Sequence, residues 1–341
     1  MKLRFVTLSV VLIMLLATLL AVSGCGGEKA GNEADILKML PENASGVIVV
    51  NFKKLAQSEL FDEMIKEEDE KKAGKPGQVF ENYQDFVDKT GIDLKKDISS
   101  MAVAIIGNMA GAGKAGPDIV AVVNLNYDKN KIMALIKEKA GELTEETFNN
   151  VPVFKISSED KDMMFSFISD NIAAVGIPDG VKKVIDLSKG TGKSVMDNEK
   201  LKPFLNRLKS NAVFSFVIEF PEEAKQVQEG GMLKMDLSKA EAILGFIDHA
   251  NKAWNFEIKL ISHNEEGNQQ MVSTLNGLKM MGGAAGPEYA ELLEKITISA
   301  TADSIKLEVT IPDELIEKLK KKIEEKTKGA MTSPEAETET E

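Results

Sequence analysis

The residues able to do chemistry are few in kind. The chain holds one cysteine, Cys25, two histidines, His249 and His263, and 54 acidic residues among 341. Neither histidine has a neighbour at metal-ligand spacing, so no zinc site is expected. No D-x-[DN]-x-[DN]-G calcium loop occurs, so no metal is expected at all. Asp248-His249 has the order needed to orient an imidazole. It reads, however, as the end of a helix, where a solvent-facing histidine is favoured by the dipole. A G-x-S-x-G elbow is missing. With two histidines and one thiol, a nucleophile–base–acid triad has few ways to form. A carboxylate pair for glycoside hydrolysis depends on three-dimensional spacing and stays open as the alternative activity. One Trp and three Tyr offer little surface for stacking on sugars.

Two glycine-rich strings resemble phosphate loops as text only. Gly111-Ala112-Gly113-Lys114-Ala115-Gly116 runs into Pro117 and a strand. A dinucleotide fingerprint needs a helix N-terminus there to receive the pyrophosphate. Gly190-Thr191-Gly192-Lys193-Ser194 has Leu187 where a P-loop needs its first glycine, and a helix precedes it where a strand belongs. No nucleotide and no other cofactor is expected. A formal charge of −12 repels phosphate backbones, which excludes nucleic acid as a natural partner.

Cys25 closes an export segment. Lys2 and Arg4 precede an apolar run from Phe5 to Val22, and small residues Ser23 and Gly24 follow it. These are the parts of a secretory signal. The segment Leu20-Ala21-Val22-Ser23-Gly24-Cys25 resembles a bacterial lipobox. The resemblance implies that residues 1–24 are removed. It further implies that the Cys25 thiol carries a diacylglyceryl group with palmitate-type chains, and that 25–32 tether the body to a membrane. Gly26, rather than aspartate, follows the cysteine. In a Gram-negative host that favours the outer membrane, facing the periplasm. As the sole cysteine, Cys25 also leaves the body without an internal disulfide.

The body behind the tether alternates helix and strand signals. Strands are expected at 45–52, 98–106, 118–125, 151–157, 163–168, 171–176, 211–220, 253–263, 296–300 and 305–310. Helices are expected at 58–65, 79–90, 128–137, 181–187, 198–208, 238–250, 265–281 and from Pro312 onward. The expected fold is α+β, with a mainly antiparallel sheet covered by helices on one face. Pro41-Glu42-Asn43-Ala44 and Leu208-Lys209-Ser210-Asn211-Ala212 both lead into a strand. That repetition predicts two related units, 33–190 and 195–328, with one continuous curved sheet as an open arrangement. Residues 329–341 read as a disordered acidic tail.

The most suggestive candidate site is the helix bearing Met271, Leu275, Leu278 and Met281. With the Phe-rich strands of Phe165, Phe167, Phe214 and Phe216 it would line an apolar cleft, since methionine suits adaptable surfaces. The competing reading is plain core packing. Leu40-Pro41-Glu42-Asn43-Ala44, Thr90-Gly91-Ile92-Asp93-Leu94 and Asp170-Asn171-Ile172-Ala173-Ala174-Val175 resemble pieces of uncharacterised bacterial lipoproteins and exported proteins with a duplicated α+β body. That resemblance brings no catalytic or binding residues. The expectation is therefore a membrane-anchored envelope protein, non-enzymatic, binding a hydrophobic ligand such as lipid or an envelope protein partner. A carboxylate-dependent envelope hydrolase is the alternative.

Overall fold

The structure is a computed structural model, and it describes residues 33–72, 80–107, 117–139, 143–157, 161–225, 237–282 and 287–321. Cys25, the expected signal and tether, the glycine string 111–116 and the expected acidic tail lie outside the described residues.

A short helix α1 (Glu33–Leu37) leads into β1 (Ala44–Asn51). Three helices follow, α2 (Phe52–Leu55), α3 (Glu59–Lys72) and α4 (Tyr83–Thr90). Asn82 caps α4 by accepting from the Asp85 N–H at 2.8 Å, and Gly91 ends it in the left-handed region at φ 73°. Strands β2 (Ile98–Ile106) and β3 (Asp118–Leu125) precede α5 (Lys129–Lys139). A meander of β4 (Leu143–Phe148), β5 (Val151–Ile156), β6 (Met163–Ser169) and β7 (Ile172–Gly176) then reaches α6 (Pro178–Ser188). The chain continues through the single turn α7 (Lys202–Leu205), β8 (Phe214–Glu219), β9 (Ala240–Ala250) and β10 (Ala253–Ser262). It closes with α8 (Glu265–Gly282), α9 (Pro287–Glu294), β11 (Ile296–Ala300), β12 (Ser304–Pro312) and a helix over 313–321.

The expected α+β class holds. The strands form one antiparallel sheet of twelve, in the order β11-β12-β10-β9-β8-β1-β2-β3-β7-β6-β5-β4. Two hairpins turn on paired left-handed residues, Asn149-Asn150 between β4 and β5 and Asn251-Lys252 between β9 and β10. That geometry matches the strand twist, and asparagine tolerates it better than most side chains. The ladder β1·β8, with Val47 opposite Val217, joins the earlier strands to the later ones.

The expectation of helices on one face is corrected by the packing. Successive residues of β3 point to opposite faces. Val120 and Val122 pack in one core with Val181, Val184 and Ile185 of α6 and with Ile36 of α1. Ala121 and Val123 pack in a second core with Ile132, Leu135 and Ile136 of α5 and with Phe86 of α4. Over these strands the sheet carries helices on both faces, which explains why β3 and β7 are almost continuously buried.

The helix expected over 238–250 is strand β9. Its alanines, leucine and glutamate suit a helix locally. Its burial nevertheless has a period of two, with Ala240, Ala242 and Leu244 buried while Ile243 and Ile247 turn to the other side. Pairing on both flanks, with β8 and β10, overrides the local preference. Gly245 is fitted to this place. A Cβ there would collide with the Glu257 carbonyl and come within 3.0 Å of the Phe216 ring.

The helix expected over 198–208 shrinks to α7. Asn198 holds the approach: its side chain donates to the Glu42 and Ala44 carbonyls at 2.7 and 2.9 Å and accepts from the Lys200 and Leu201 N–H groups. A side chain committed to the start of β1 cannot also sit in a regular helix. Strand β4 was not expected; its residues carry no buried pattern, and it pairs only with β5 at the sheet edge.

Candidate functional site

The face of the sheet that carries α6 also carries an open groove of about 770 Å³, over β8, β9 and β10. One wall is the segment 199–209 around α7, and the other is the turn between β11 and β12. Phe204 on the wall and Leu244 on the floor belong to the same buried cluster, so the groove lies directly on the core. Period-two alternation decides what faces it. Leu244 and Phe246 of β9 point in, as do Glu257, Lys259 and Ile261 of β10. Trp254, Phe256, Ile258 and Leu260, at the alternate positions of β10, lie on the opposite face.

The ladders set the floor in rows. Leu244 pairs with Lys259, and Lys259 pairs with Lys306 of β12. One rung along, Phe246 pairs with Glu257, and Glu257 pairs with Glu308. Ion pairs run along the strands: Lys259 to Glu257 at 3.0 Å and Lys306 to Glu308 at 2.8 Å. Glu308 beside Lys306 raises the Lys306 pKa.

Two further carboxylates of the groove face cations. Glu219 pairs with Lys200, and Glu222 with Lys225 at 2.6 Å. Lys209 stands over the Phe246 ring at 3.9 Å and reaches Asp248 at 3.3 Å. Asp248 is buried and also pairs with Lys54. Burial would push its pKa up, but hydrogen bonds and charge from Lys54 and Lys209 outweigh this and hold it low. Arg207, one of two arginines in the sequence, stacks on Phe204 with its guanidinium carbon 5.6 Å from the ring centre.

His263 sits at one end of the groove, with Nδ1 3.0 Å from Asp303 and Nε2 3.5 Å from Glu241. The hydrogen bond to Asp303 and the charge of Glu241 raise its pKa, with Arg207 opposing. The raised value means that the protonated ring favours the folded state. That contribution is complete below the ordinary value of 6.5 and is lost as pH rises through the folded pKa. An NMR titration should therefore place His263 above 6.5, and Asp303→Asn should bring it back toward that value. An unchanged midpoint in the variant would refute the pairing.

The expected site residues do not line this groove. Phe165 and Phe167 are buried in the second core, stacked with Phe154 and Tyr127. Phe214 and Phe216 pair with Ile247 and Gly245 and so face the side away from the groove. Along α8, Met271 is buried and Leu275 half-buried, while Leu278 and Met281 are exposed, at 37% and 74%. The helix packs against β11 and β12. The structure therefore does not bring the three groups to one cleft. His249 lies in β9, not at a helix end, where it packs on Trp254 at 4.8 Å and pairs with Asp313 at 3.0 Å. Lys193 of the second glycine string pairs with Glu42, and Ser194 caps a short turn with Asp197. Among the described residues no group of three or more His, Cys, Asp or Glu side chains is placed to hold a metal ion. None of their helices is long and apolar enough to cross a membrane.

The charged residues of the groove floor and of the adjoining β12 left a signal in the sequence. Glu257-Ile258-Lys259 and Lys306-Leu307-Glu308 both alternate charge with an apolar residue, which marks one polar face on each strand.

No family model matches the chain. It is similar to the uncharacterized protein MJ0635 of Methanocaldococcus jannaschii, with 26% identity over 230 residues covering 67% of this chain and 74% of that protein. Among solved structures, crystal forms III and I of TP0453 superpose with TM-scores of 0.47 and 0.45 at 10% identity. The matches cover 83% of this chain and 96% and 94% of those.

Proposed function

We propose that this protein is a lipid-anchored envelope protein whose body holds a hydrophobic or amphiphilic molecule in the groove beside α7. Cys25 carries the acyl chains, and residues 25–32 keep the body close to the bilayer, on the periplasmic side of the outer membrane in a Gram-negative host. The observation that carries the binding reading is the groove itself. Its floor sets Leu244 and Phe246 beside Glu257 and Lys259, and Glu219, Glu222 and Glu257 each have a lysine within ion-pair distance. Apolar surface beside placed polar groups is the make-up of a ligand site, and the many charges lining this one favour a ligand with a polar part. Glu257 and Glu308 are opposed on β10 and β12, as a hydrolytic pair would require, but each is tied to a lysine of its own strand.

The body also reads as two related units. The first runs through β1, β2 and β3, a helix, the β6–β7 hairpin and another helix. The second runs through β8, β9 and β10, a helix, the β11–β12 hairpin and another helix. In both, the hairpin's last strand returns to pair with the third strand. The β4–β5 hairpin is then an insertion in the first.

Native mass spectrometry of protein purified without detergent tests the binding reading. A co-purifying small amphiphile is expected, and Phe246→Glu, at a half-buried floor position, should remove it by placing a charge there. A clean unliganded mass in repeated preparations, or retention of the molecule by the variant, would overturn it.

A further inference from the structure

The rungs between β10 and β12 set like charge opposite like. Lys259 faces Lys306, and Glu257 faces Glu308. Directly opposed side chains have Cβ atoms only about 4.5–5.5 Å apart, and like charges there destabilise a ladder. Alternating the partners, with glutamate opposite lysine on each rung, would neutralise both rungs across the strands. The sequence instead neutralises charge along each strand, through the 3.0 and 2.8 Å pairs. The surface that results is bipolar. A row of two ammonium groups lies beside a row of two carboxylates, one strand repeat of about 6.6 Å away. These side chains are partly exposed, from 20% for Glu257 to 43% for Glu308. The third column of the same rows is apolar, Leu244 beside the lysines and Phe246 beside the glutamates.

We infer that the groove, together with the adjoining face of β12, takes a zwitterionic amphiphile, a phospholipid whose phosphate meets Lys259 of the groove and Lys306 beside it and whose ammonium meets Glu257 of the groove and Glu308 beside it, with its apolar part against Phe246 and the exposed edges of Leu244 and Phe204. The inference rests on the groove being the binding site. Charge complementarity selects the occupant. A purely anionic headgroup would gain the lysine row but lie against the glutamate row, and a purely apolar molecule would leave both rows unused. A zwitterion satisfies both and leaves the net charge of the groove unchanged. The apolar column along β9 lies beside both rows, where a chain joined to the headgroup would extend next to Phe246 and Lys209.

Isothermal titration of the full chain carrying Cys25→Ser, which has no acyl chain of its own to compete, tests this with three probes. Dihexanoylphosphatidylethanolamine carries both charges and short chains. Dihexanoylphosphatidylglycerol keeps the chains and the phosphate but lacks the ammonium. Phosphoethanolamine keeps the headgroup and lacks the chains. The first should bind at least tenfold more tightly than either of the others. The paired variant Lys259→Gln with Lys306→Gln should weaken it at least tenfold. A second variant, Glu257→Gln with Glu308→Gln, removes the carboxylate row alone at partly exposed positions, so it should fold, yet it should lose the preference for the zwitterion over the anionic lipid. Equal affinity for the two lipids would overturn the charge assignment and leave the groove as a binding site. Equal affinity for phosphoethanolamine would overturn the amphiphile. If none of the three binds, this inference falls and the groove reading loses phospholipids as its occupants, while a co-purifying molecule of another class would keep that reading alive.

Discussion

Cys25→Ser is expected to abolish acyl labelling and to release the protein from membranes. Labelling with radioactive palmitate and fractionation of the membranes read the two effects separately. The magnitude follows from chain chemistry: each buried methylene contributes about 0.8 kcal/mol, so two or more acyl chains hold firmly, whereas one binds reversibly. A serine hydroxyl differs by one atom and cannot take the thioether. Label that persists on the variant would sink the anchor assignment. Loss of label without release would mean that another contact holds the body.

Phe165→Ala should cost about 4 kcal/mol, at the upper end of what a single core truncation does. Phe165 is fully buried, stacked 4.9 Å from Phe154 and meeting the edge of Phe167 at 5.9 Å. Removing the ring leaves a cavity among aromatic neighbours on adjacent strands that cannot close in without shifting the ladder. Met281→Ala is the control. Its side chain is 74% exposed, so the change should stay within about 0.5 kcal/mol. Urea unfolding of both variants measures this. A loss below about 1 kcal/mol for Phe165→Ala would mean that the ring is not core, and would reopen a ligand-facing role.

The phenylalanines show how far patterning reaches. Alternation in Met163–Ser169 and Phe214–Glu219 marks a strand and its two faces. It does not say which face meets a helix, because both faces of β6 are buried. Phe165 and Phe214 look alike in sequence and end in different surroundings, one at 0% exposure and the other half-buried. Long helices such as α8 were legible, since periodicity accumulates over eighteen residues. Strand β9 was not, because its evidence is the pairing on either side, which no local window contains. The groove fails for the same reason. Its charged triplets are visible on their own strands, but only the register of β10 on β12 sets Lys259 against Lys306. Register is a property of two distant segments, fixed by the hairpins and by the apolar faces they must bury.

The β1·β8 ladder has a consequence for how the chain matures. β1 gains its neighbour β2 early, with Val49 opposite Ala102. Its other flank waits for β8, which lies roughly 170 residues further along, as Gly46 opposite Ile218 shows. Until that segment arrives, Gly46, Val47, Ile48 and Val49 present an apolar row of unpaired backbone groups, a template for pairing with any other chain. A chain emerging from its N-terminus thus keeps an adhesive edge open for about half of its synthesis, and so distant a closure is slow. Truncation before residue 214 would leave that edge permanently exposed. The protein's hazard lies less in its finished surface than in the interval before the middle of its sheet is sealed.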